Sequence, residues 1–396
     1  MPWSNQRLGD YCEVIAGQSP EGKYYNDKAE GLPFYQGKKE FGDRYIGAPQ
    51  KWTTKVTKEA KADDILMSVR APVGPINFST EHICIGRGLA AIRPSDELDK
   101  DFLFYYLLSK QDEIQGSEGA VFASINKSQI QALSFSYVNL EEQKRIVAIL
   151  DQAFADINKA RALTEQNLKN ARELFESYLQ QVFSQRGEGW SQTTLGELCE
   201  RMEYGTSAKS KTEGKVPVLR MGNIQDGLLD WKKLVYTDND DDIVKLILEV
   251  GDVLFNRTNS PELVGKSAIY RGESPAIFAG YLIRLQRKKG LLDGEFLNFY
   301  LNSRTVREYG FSVMSHSTNQ ANISGTKLKS YPISLPSLEM QKEIAARASS
   351  LKTDITRVEN LYREKLAALD ELKKSLLQKA FTGELISALP KNKDVA

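Results

Sequence analysis

LEEQKRIVAILDQAFADINKARALTEQNLKNARELFESYLQQVFS, which starts at Leu140, returns at Leu338 as LEMQKEIAARASSLKTDITRVENLYREKLAALDELKKSLLQKAFT, at a constant offset of 198 residues. No gap is needed, so Leu140, Gln143, Ile146, Asp156, Leu163, Leu174, Ser177 and Phe183 meet Leu338, Gln341, Ile344, Asp354, Leu361, Leu372, Ser375 and Phe381. The register itself is under constraint. Both copies read as long helices. Asn139 with Glu142 three residues on, and Ser337 after Pro336, are N-cap signals, and Gly383 is a C-cap signal. In the second copy Ile344, Ala348, Leu351, Ile355, Val358, Tyr362, Leu369, Leu372 and Leu376 step by four and three, the heptad pattern of a coiled coil. Ile146, Leu150, Ala153, Ile157, Ala160, Ala171, Leu174 and Tyr178 keep it in the first. Asn167 and Lys365 interrupt the stripe at matching positions and either fix register or reach solvent.

A single amphipathic helix reads as core packing. Two matched copies, each too long for a small domain, read as packing on each other. About 40 helical residues span roughly 60 Å. The short linker from Pro332 to Ser337 sends the second helix back along the first, which predicts an antiparallel pair and a pseudo-two-fold chain of module, spacer, module, spacer.

The modules repeat more loosely. Trp3-Ser4, Leu8-Gly9-Asp10 and Cys12-Glu13 align with Trp190-Ser191, Leu195-Gly196-Glu197 and Cys199-Glu200. Asp64-Ile65-Leu66 and Arg70 align with Asp252-Val253-Leu254 and Arg257, and Phe102-Leu103 with Phe296-Leu297. Shared framework with divergent loops suits two readers built on one plan. DDILMSVR, AIRP, PVLRMGNI, DVLFNR and SAIYR are short strand candidates bounded by Gly, Pro, Asn and Asp. A helix near Asp99 to Gln111, matched by Gly294 to Tyr309, closes each module, giving an α+β fold. The expected divisions are 1–136 and 187–336 for the modules, 137–186 and 337–384 for the spacer helices, and a flexible tail at 385–396.

With 396 residues, 41% apolar and 27% charged, the chain has material for two or three ordinary cores. The opening MPWSNQRLGD has no charged and then apolar signal pattern, and no apolar run approaches a membrane span, so the expected compartment is the cytoplasm. Three cysteines, two of them at equivalent repeat positions, read as small buried residues rather than a disulfide or metal set.

Catalytic constellations are missing. His82 and His316 are the only histidines, and no GxxxxGK[ST] phosphate loop occurs. Gly86-Arg87-Gly88 leads into Ile92-Arg93-Pro94 instead of a helix, unlike a dinucleotide loop. The run Asp238–Asp242 lacks the glycine and terminal Glu of a calcium loop and reads as a solvated turn. The chain reads as a non-catalytic recogniser with no cofactor of its own. A net charge of +1 argues against a strong nonspecific polyanion binder. Loop composition points the other way. Phe34-Tyr35-Gln36-Gly37-Lys38-Lys39, Arg44-Tyr45 and Lys51-Trp52 interleave basic and aromatic residues, while Asn256-Arg257-Thr258-Asn259-Ser260 and Ser315 to Asn322 gather side chains able to read base edges.

VPVLRMGNIQDG, GDVLFNRTNSPELVGK, LPSLEMQKEI and KAFTGEL, with the repeated LEEQKRI, resemble the specificity subunit of type I restriction-modification systems. The resemblance covers nearly the whole chain. It is strongest in the second module and both helices; in the first module Trp3 to Glu13 and Arg70 to Gly74 carry it. Tyr137-Val138-Asn139-Leu140 departs from the proline-rich lead that Leu335-Pro336 keeps. The resemblance implies two α+β target recognition domains held apart by an antiparallel coiled coil, each reading one half of a bipartite site in double-stranded DNA. It also implies two docked adenine-N6 methyltransferase subunits, which carry S-adenosylmethionine, and restriction subunits that translocate DNA. The expected DNA contacts are Lys38, Lys39, Arg44, Lys51, Arg70, Lys209, Lys211, Arg220, Asn223, Asn256, Arg257, Asn259, Lys266, Asn319 and Gln320, with Gly74 and Gly265 allowing close backbone approach. Arg145, Arg172, Lys342 and Lys373 are the expected partner contacts on the helices. Two other classes compete: a stand-alone DNA-binding regulator, and a coiled-coil scaffold with no DNA role.

Overall fold

The structure, a computed structural model, describes residues 3–115, 124–184, 189–317 and 320–387. Both repeated stretches are single helices, Leu140–Ser184 and Leu338–Thr382. The chain packs as two compact units, Met1–Thr164 with Glu364–Ala396, and Glu165–Arg363. Each unit therefore joins one module to half of each helix, where the sequence suggested separate modules and spacers. Residues 388–396 of the expected tail lie outside the described residues, and Glu384–Ser387 adds one helical turn after Gly383.

In the first unit an antiparallel sheet runs in the order Cys12–Ala16, Leu89–Pro94, Ile65–Ser68, Ile76–Phe78. The second repeats it with Cys199–Tyr204, Leu282–Arg287, Val253–Asn256 and Ser267–Ile269. The central strands are continuous apolar runs because both faces are covered. Ile65 and Met67 enter one cluster with Phe102, Leu103 and Tyr106 of the helix Lys100–Ser109. Leu66 enters another with Tyr35, Ile83 and Ile85. In the second unit Val253 and Phe255 pack with Phe296 and Leu297, and Leu254 packs with Val218 and Phe278. The expected closing helix Gly294 to Tyr309 is two helices, Gly294–Asn302 and Arg304–Val313, broken where Ser303 turns extended. Cys12, Cys84 and Cys199 are buried free thiols, and burial pushes Cys12 and Cys199 up to about 12.

Register corrects one alignment. Ser68 faces Leu89 as Asn256 faces Leu282. Ile125 N donates to Val69 O as Ile323 N donates to Arg257 O. Arg257 therefore corresponds to Val69, not Arg70, because the strands carry no gap between these anchors.

The helices begin and end as their caps require. Asn139 Oδ1 accepts from Glu142 N at 2.9 Å, Ser337 Oγ accepts from Met340 N at 3.3 Å, and Gly383 has φ +83°. They run antiparallel. Ile146, Leu150, Phe154 and Ile157 share a cluster with Leu377, Ala380 and Phe381, whereas Leu179 meets Ala348. Arg161 pairs with Asp370, and Arg172 with Glu359 at 2.6 Å. The seam departs from the expected heptad: Leu174 and Leu372 are 58% and 46% exposed. Ile146, Ile157, Leu168 and Leu179 face inward at 11-residue steps, as do Ile344, Ile355, Leu366 and Leu377. An 11-residue repeat averages about 3.67 residues per turn, close to an unstrained helix, so the seam moves off the heptad positions partway along. Thr164 is buried in place of Leu163 because its hydroxyl donates to Ala160 O at 2.7 Å and needs no water.

Two fully buried amides join the helices to the modules. Gln143 Oε1 accepts from Asp99 N at 2.7 Å, and its Nε2 donates to Val138 O at 2.8 Å and Glu97 O at 3.2 Å. Gln341 repeats this with Asp293 N at 2.8 Å, Pro336 O at 2.9 Å and Leu291 O at 3.0 Å. Asp99 and Asp293 in turn cap the closing helices.

Arg44 forms a second junction in the first unit, which removes it from the expected DNA contacts. Its guanidinium donates to Asp101 at 2.5 Å and to Asp151 and the Tyr105 hydroxyl at 3.0 Å, and lies 5.2 Å from the Tyr105 ring centroid. It ties its loop to the closing helix and to the first spacer helix.

Gln143→Leu keeps volume but strands one N–H and two carbonyls, so it is expected to lower unfolding stability by about 2–4 kcal/mol, read as a shifted denaturant midpoint. Arg44→Ala leaves Asp101 and Asp151 without their cation. An expected loss of about 1–3 kcal/mol, discounted for partial exposure, should leave the sequence preference of the folded protein unchanged in anisotropy titrations.

Candidate nucleic-acid interface

Strand pairing in the second unit builds a small polar sheet. Thr258–Asn259 pairs with Gln320–Asn322, which pairs with Ser315–Ser317. The ladder sets Thr258 and Ser315 opposite Asn322, and Asn259 and His316 opposite Ala321. Residues opposite one another share a face, so Thr258, Asn322 and Ser315 form one polar row, with Gln320 two residues along on the same side. The expected contacts Asn259 and Gln320 both lie on this sheet but on opposite faces, Asn259 beside Ala321 and His316; Asn319 lies outside the described residues.

Arg257 sits at the root of this sheet. Its backbone is held on both sides: N donates to Tyr281 O at 3.0 Å, and O accepts from Ile323 N at 2.9 Å. Its guanidinium carbon lies 4.7 Å from the Tyr204 ring centroid, and Nη2 donates to Asn322 Oδ1 at 3.3 Å. Tyr204 and Tyr281 flank it at 46% and 52% exposure. Among the described residues no carboxylate pairs with Arg257, whereas Arg44, Arg93 and Arg284 all meet acids.

Two other expected contacts are structural. Asn256 is fully buried, with Nδ2 donating to Leu263 O at 3.3 Å. Asn223 is buried, accepting from Arg220 N at 2.9 Å and donating to Asp230 O at 2.8 Å, so it locks a turn. Both have side chains of the right chemistry on backbones that face inward. Lys211 is exposed but paired with Asp238 at 2.8 Å, and Arg220 reaches Lys233 O at 3.3 Å. Lys209 is exposed and Lys266 half-buried. Gly265 has φ +90°, where a side chain would be strained; Gly74, at φ +105°, has the same requirement.

In the first unit Lys38 and Lys39 lie on a single turn, Lys38–Glu40, and Lys39 Nζ donates to Gln50 Oε1 at 2.8 Å beside Lys51. All three lysines are exposed, as is Arg70, which forms a bridge to Ser124. Of the expected partner contacts, Arg172 is tied to Glu359 and Lys373 lies 4.9 Å from the Phe154 ring centroid, while Arg145 stays near Glu142 at 3.7 Å and Lys342 is exposed. Sequence reasoning missed Lys352, which burial pulls below the usual lysine range as it donates to Asp226 O. It also missed Tyr204 and Asn322 as partners of Arg257, since their proximity exists only across the sheet. Among the described residues no helix is long and apolar enough to cross a membrane.

Comparison with known proteins agrees with this architecture. The family described as type I restriction modification DNA specificity domain matches residues 1–166 and 187–366. A Methanocaldococcus jannaschii protein described as the MjaX type I restriction enzyme specificity subunit is 40% identical over 174 residues, 43% of this chain and 40% of that protein. That match therefore spans less than half of the relative. The StySPI specificity subunit of Salmonella potsdam is 26% identical over 320 residues, covering 76% of this chain and 68% of its own. A chain from a structure describing assembly and conformational transition of the type I R-M system has a TM-score of 0.80 at 20% identity, over 97% of this chain and 98% of that one. That likeness carries the fold: α+β, with two target recognition domains and two long antiparallel helices. Matched across both modules and much of both helices, the chain belongs to the type I restriction modification DNA specificity family, and its work is sequence-specific DNA recognition.

Proposed function

We propose that each module reads one half of a bipartite, asymmetric site in double-stranded DNA, and that the paired helices set the gap between the halves. The observation that carries this is the repeated strand order with unlike loops. The frame is duplicated, down to the Arg70–Ser124 bridge that matches the Thr258–Asn322 pairing, while the residues set on it differ between the modules. In this reading Lys38, Lys39, Lys51, Lys209, Lys211 and Lys266 hold phosphates, and Arg70, Arg220, Arg257, Asn259 and Gln320 contact base edges or the backbone beside them. Half-sites on one face of the duplex lie about one turn, roughly 34 Å, apart.

Two adenine-N6 methyltransferase subunits dock on the helices, Lys342 and Arg145 offering exposed charge there, and S-adenosylmethionine binds on those subunits. Restriction subunits join the same assembly. The near-neutral charge supports dependence on these partners for tight binding, since few phosphates can be neutralised by this chain alone.

Gel shifts on a duplex carrying the methylated-adenine motif of the source genome are expected to be weak with this chain alone and tight once the methyltransferase subunit is added. Tight, sequence-specific binding without the partner would instead indicate a stand-alone regulator, and no shift at low salt a scaffold. The ruler has its own test. Inserting one heptad into each helix, between Thr164 and Glu165 and between Arg363 and Glu364, lengthens each by about 10 Å. The preferred gap should then move by about three base pairs at 3.4 Å each, read by selecting from duplexes with randomised gaps; an unchanged gap removes the ruler.

A further inference from the structure

Resting on that reading of the second module, we infer that Arg257 is a fixed guanine-reading fork, held ready by Tyr204 and Asn322, which act as positioning residues. Three observations converge on it. The guanidinium lies over the Tyr204 ring at 4.7 Å and is hydrogen-bonded to Asn322 Oδ1 at 3.3 Å. Asn322 is itself held, its Nδ2 donating to Thr258 Oγ1 at 2.7 Å, and because a guanidinium only donates, Oδ1 is the amide atom that faces the arginine. Tyr204 is oriented too, its hydroxyl accepting from Gly325 N at 2.9 Å.

The second point is what the guanidinium lacks. Nε is buried without a partner, and no carboxylate pairs with the group among the described residues. A half-buried cation stacked on an aromatic face keeps its charge at low cost and presents its remaining N–H edge outward. That edge demands paired acceptors in one plane. Guanine O6 and N7 supply them in the major groove, as do two phosphate oxygens.

The surroundings choose between these two. The solvent-facing rim next to Arg257 is made of Ser315, Gln320 and Asn322, neutral donor–acceptor side chains, and the one lysine beside them, Lys327, is engaged within the fold, donating to Val313 O at 2.6 Å and Ser315 Oγ at 2.8 Å. Such a rim suits base edges, which mix donors and acceptors, and is poorly suited to a strand of phosphates. Fixing the fork before binding also lowers the side-chain entropy lost on contact. The first module has Val69 at the corresponding position, so this guanine belongs to the second half-site alone.

The test is selection from a randomised duplex library by the full-length chain with its methyltransferase subunit, for the wild type, Arg257→Gln, Tyr204→Leu, Asn322→Ala and the double variant Tyr204→Leu/Arg257→Gln. The wild type is expected to favour guanine at one position of the second half-site by about 5- to 150-fold. Arg257→Gln should abolish that preference alone, with the first half-site preserved as an internal check of folding. Tyr204→Leu and Asn322→Ala should weaken it at the same position, and the double variant should lose no more than Arg257→Gln, since the ring acts through the arginine. Binding weakened evenly over all sequences would make Arg257 a phosphate contact and overturn the inference, as would guanine preference surviving in Arg257→Gln. A wild type with no sequence preference anywhere would overturn the underlying reading as well, and is told apart because the first half-site then fails with the second.

Discussion

The architecture depends on one buried hydrogen-bond arrangement made twice. A helix of 45 residues has little reason of its own to leave a module at a fixed angle. Gln143 and Gln341 supply that reason, because each amide engages the backbone turn before the closing helix and the backbone just before its own helix. In a fully buried site every amide atom must find a partner, so the geometry admits little play. The aspartate whose N–H meets each glutamine also caps the closing helix, so the helix start, the turn and the cap form a continuous chain of bonds. A rod attached in this way transmits the orientation of its module.

Much of this was legible in the sequence, for reasons specific to each element. Gln143 and Gln341 align at the gapless offset, but so do the exposed Asp156 and Asp354, so the repeat showed a common register and not which polar pair is buried. Caps at Asn139, Ser337 and Gly383 are local signals and appear where the residue types place them. The seam was less legible. Apolar residues occupy both the heptad and the 11-residue positions, and only packing shows that Leu174 and Leu372 face solvent while Thr164 is buried.

Site residues were legible by composition and not by environment. Arg44, Asn223 and Asn256 have the same chemistry as Arg257 and Asn259, yet they serve the fold. The difference lies in partners far along the chain: Asp101 is 57 residues from Arg44 and Asp151 is 107. Nothing local to Arg44-Tyr45 announces those carboxylates. The alignment of Arg70 with Arg257 failed similarly, since a basic residue follows each strand but the ladder puts the two arginines one residue out of register.

Comparing the arginines turns this into a criterion. Arg44, Arg93 and Arg284 are withdrawn from solvent with acids beside them, so their charge is spent within the fold. Arg257 is withdrawn as well, but onto a tyrosine face and an amide oxygen, neither of which neutralises it. Holding a cation in that condition disfavours the free state slightly and leaves the attraction available to an incoming acceptor. In a protein of net charge +1, with little general pull on DNA, attraction reserved at chosen points favours the correct sequence over the rest of the duplex. Near-neutrality, which counted against a nucleic-acid role when the chain was considered as a whole, is on this argument a condition of selectivity.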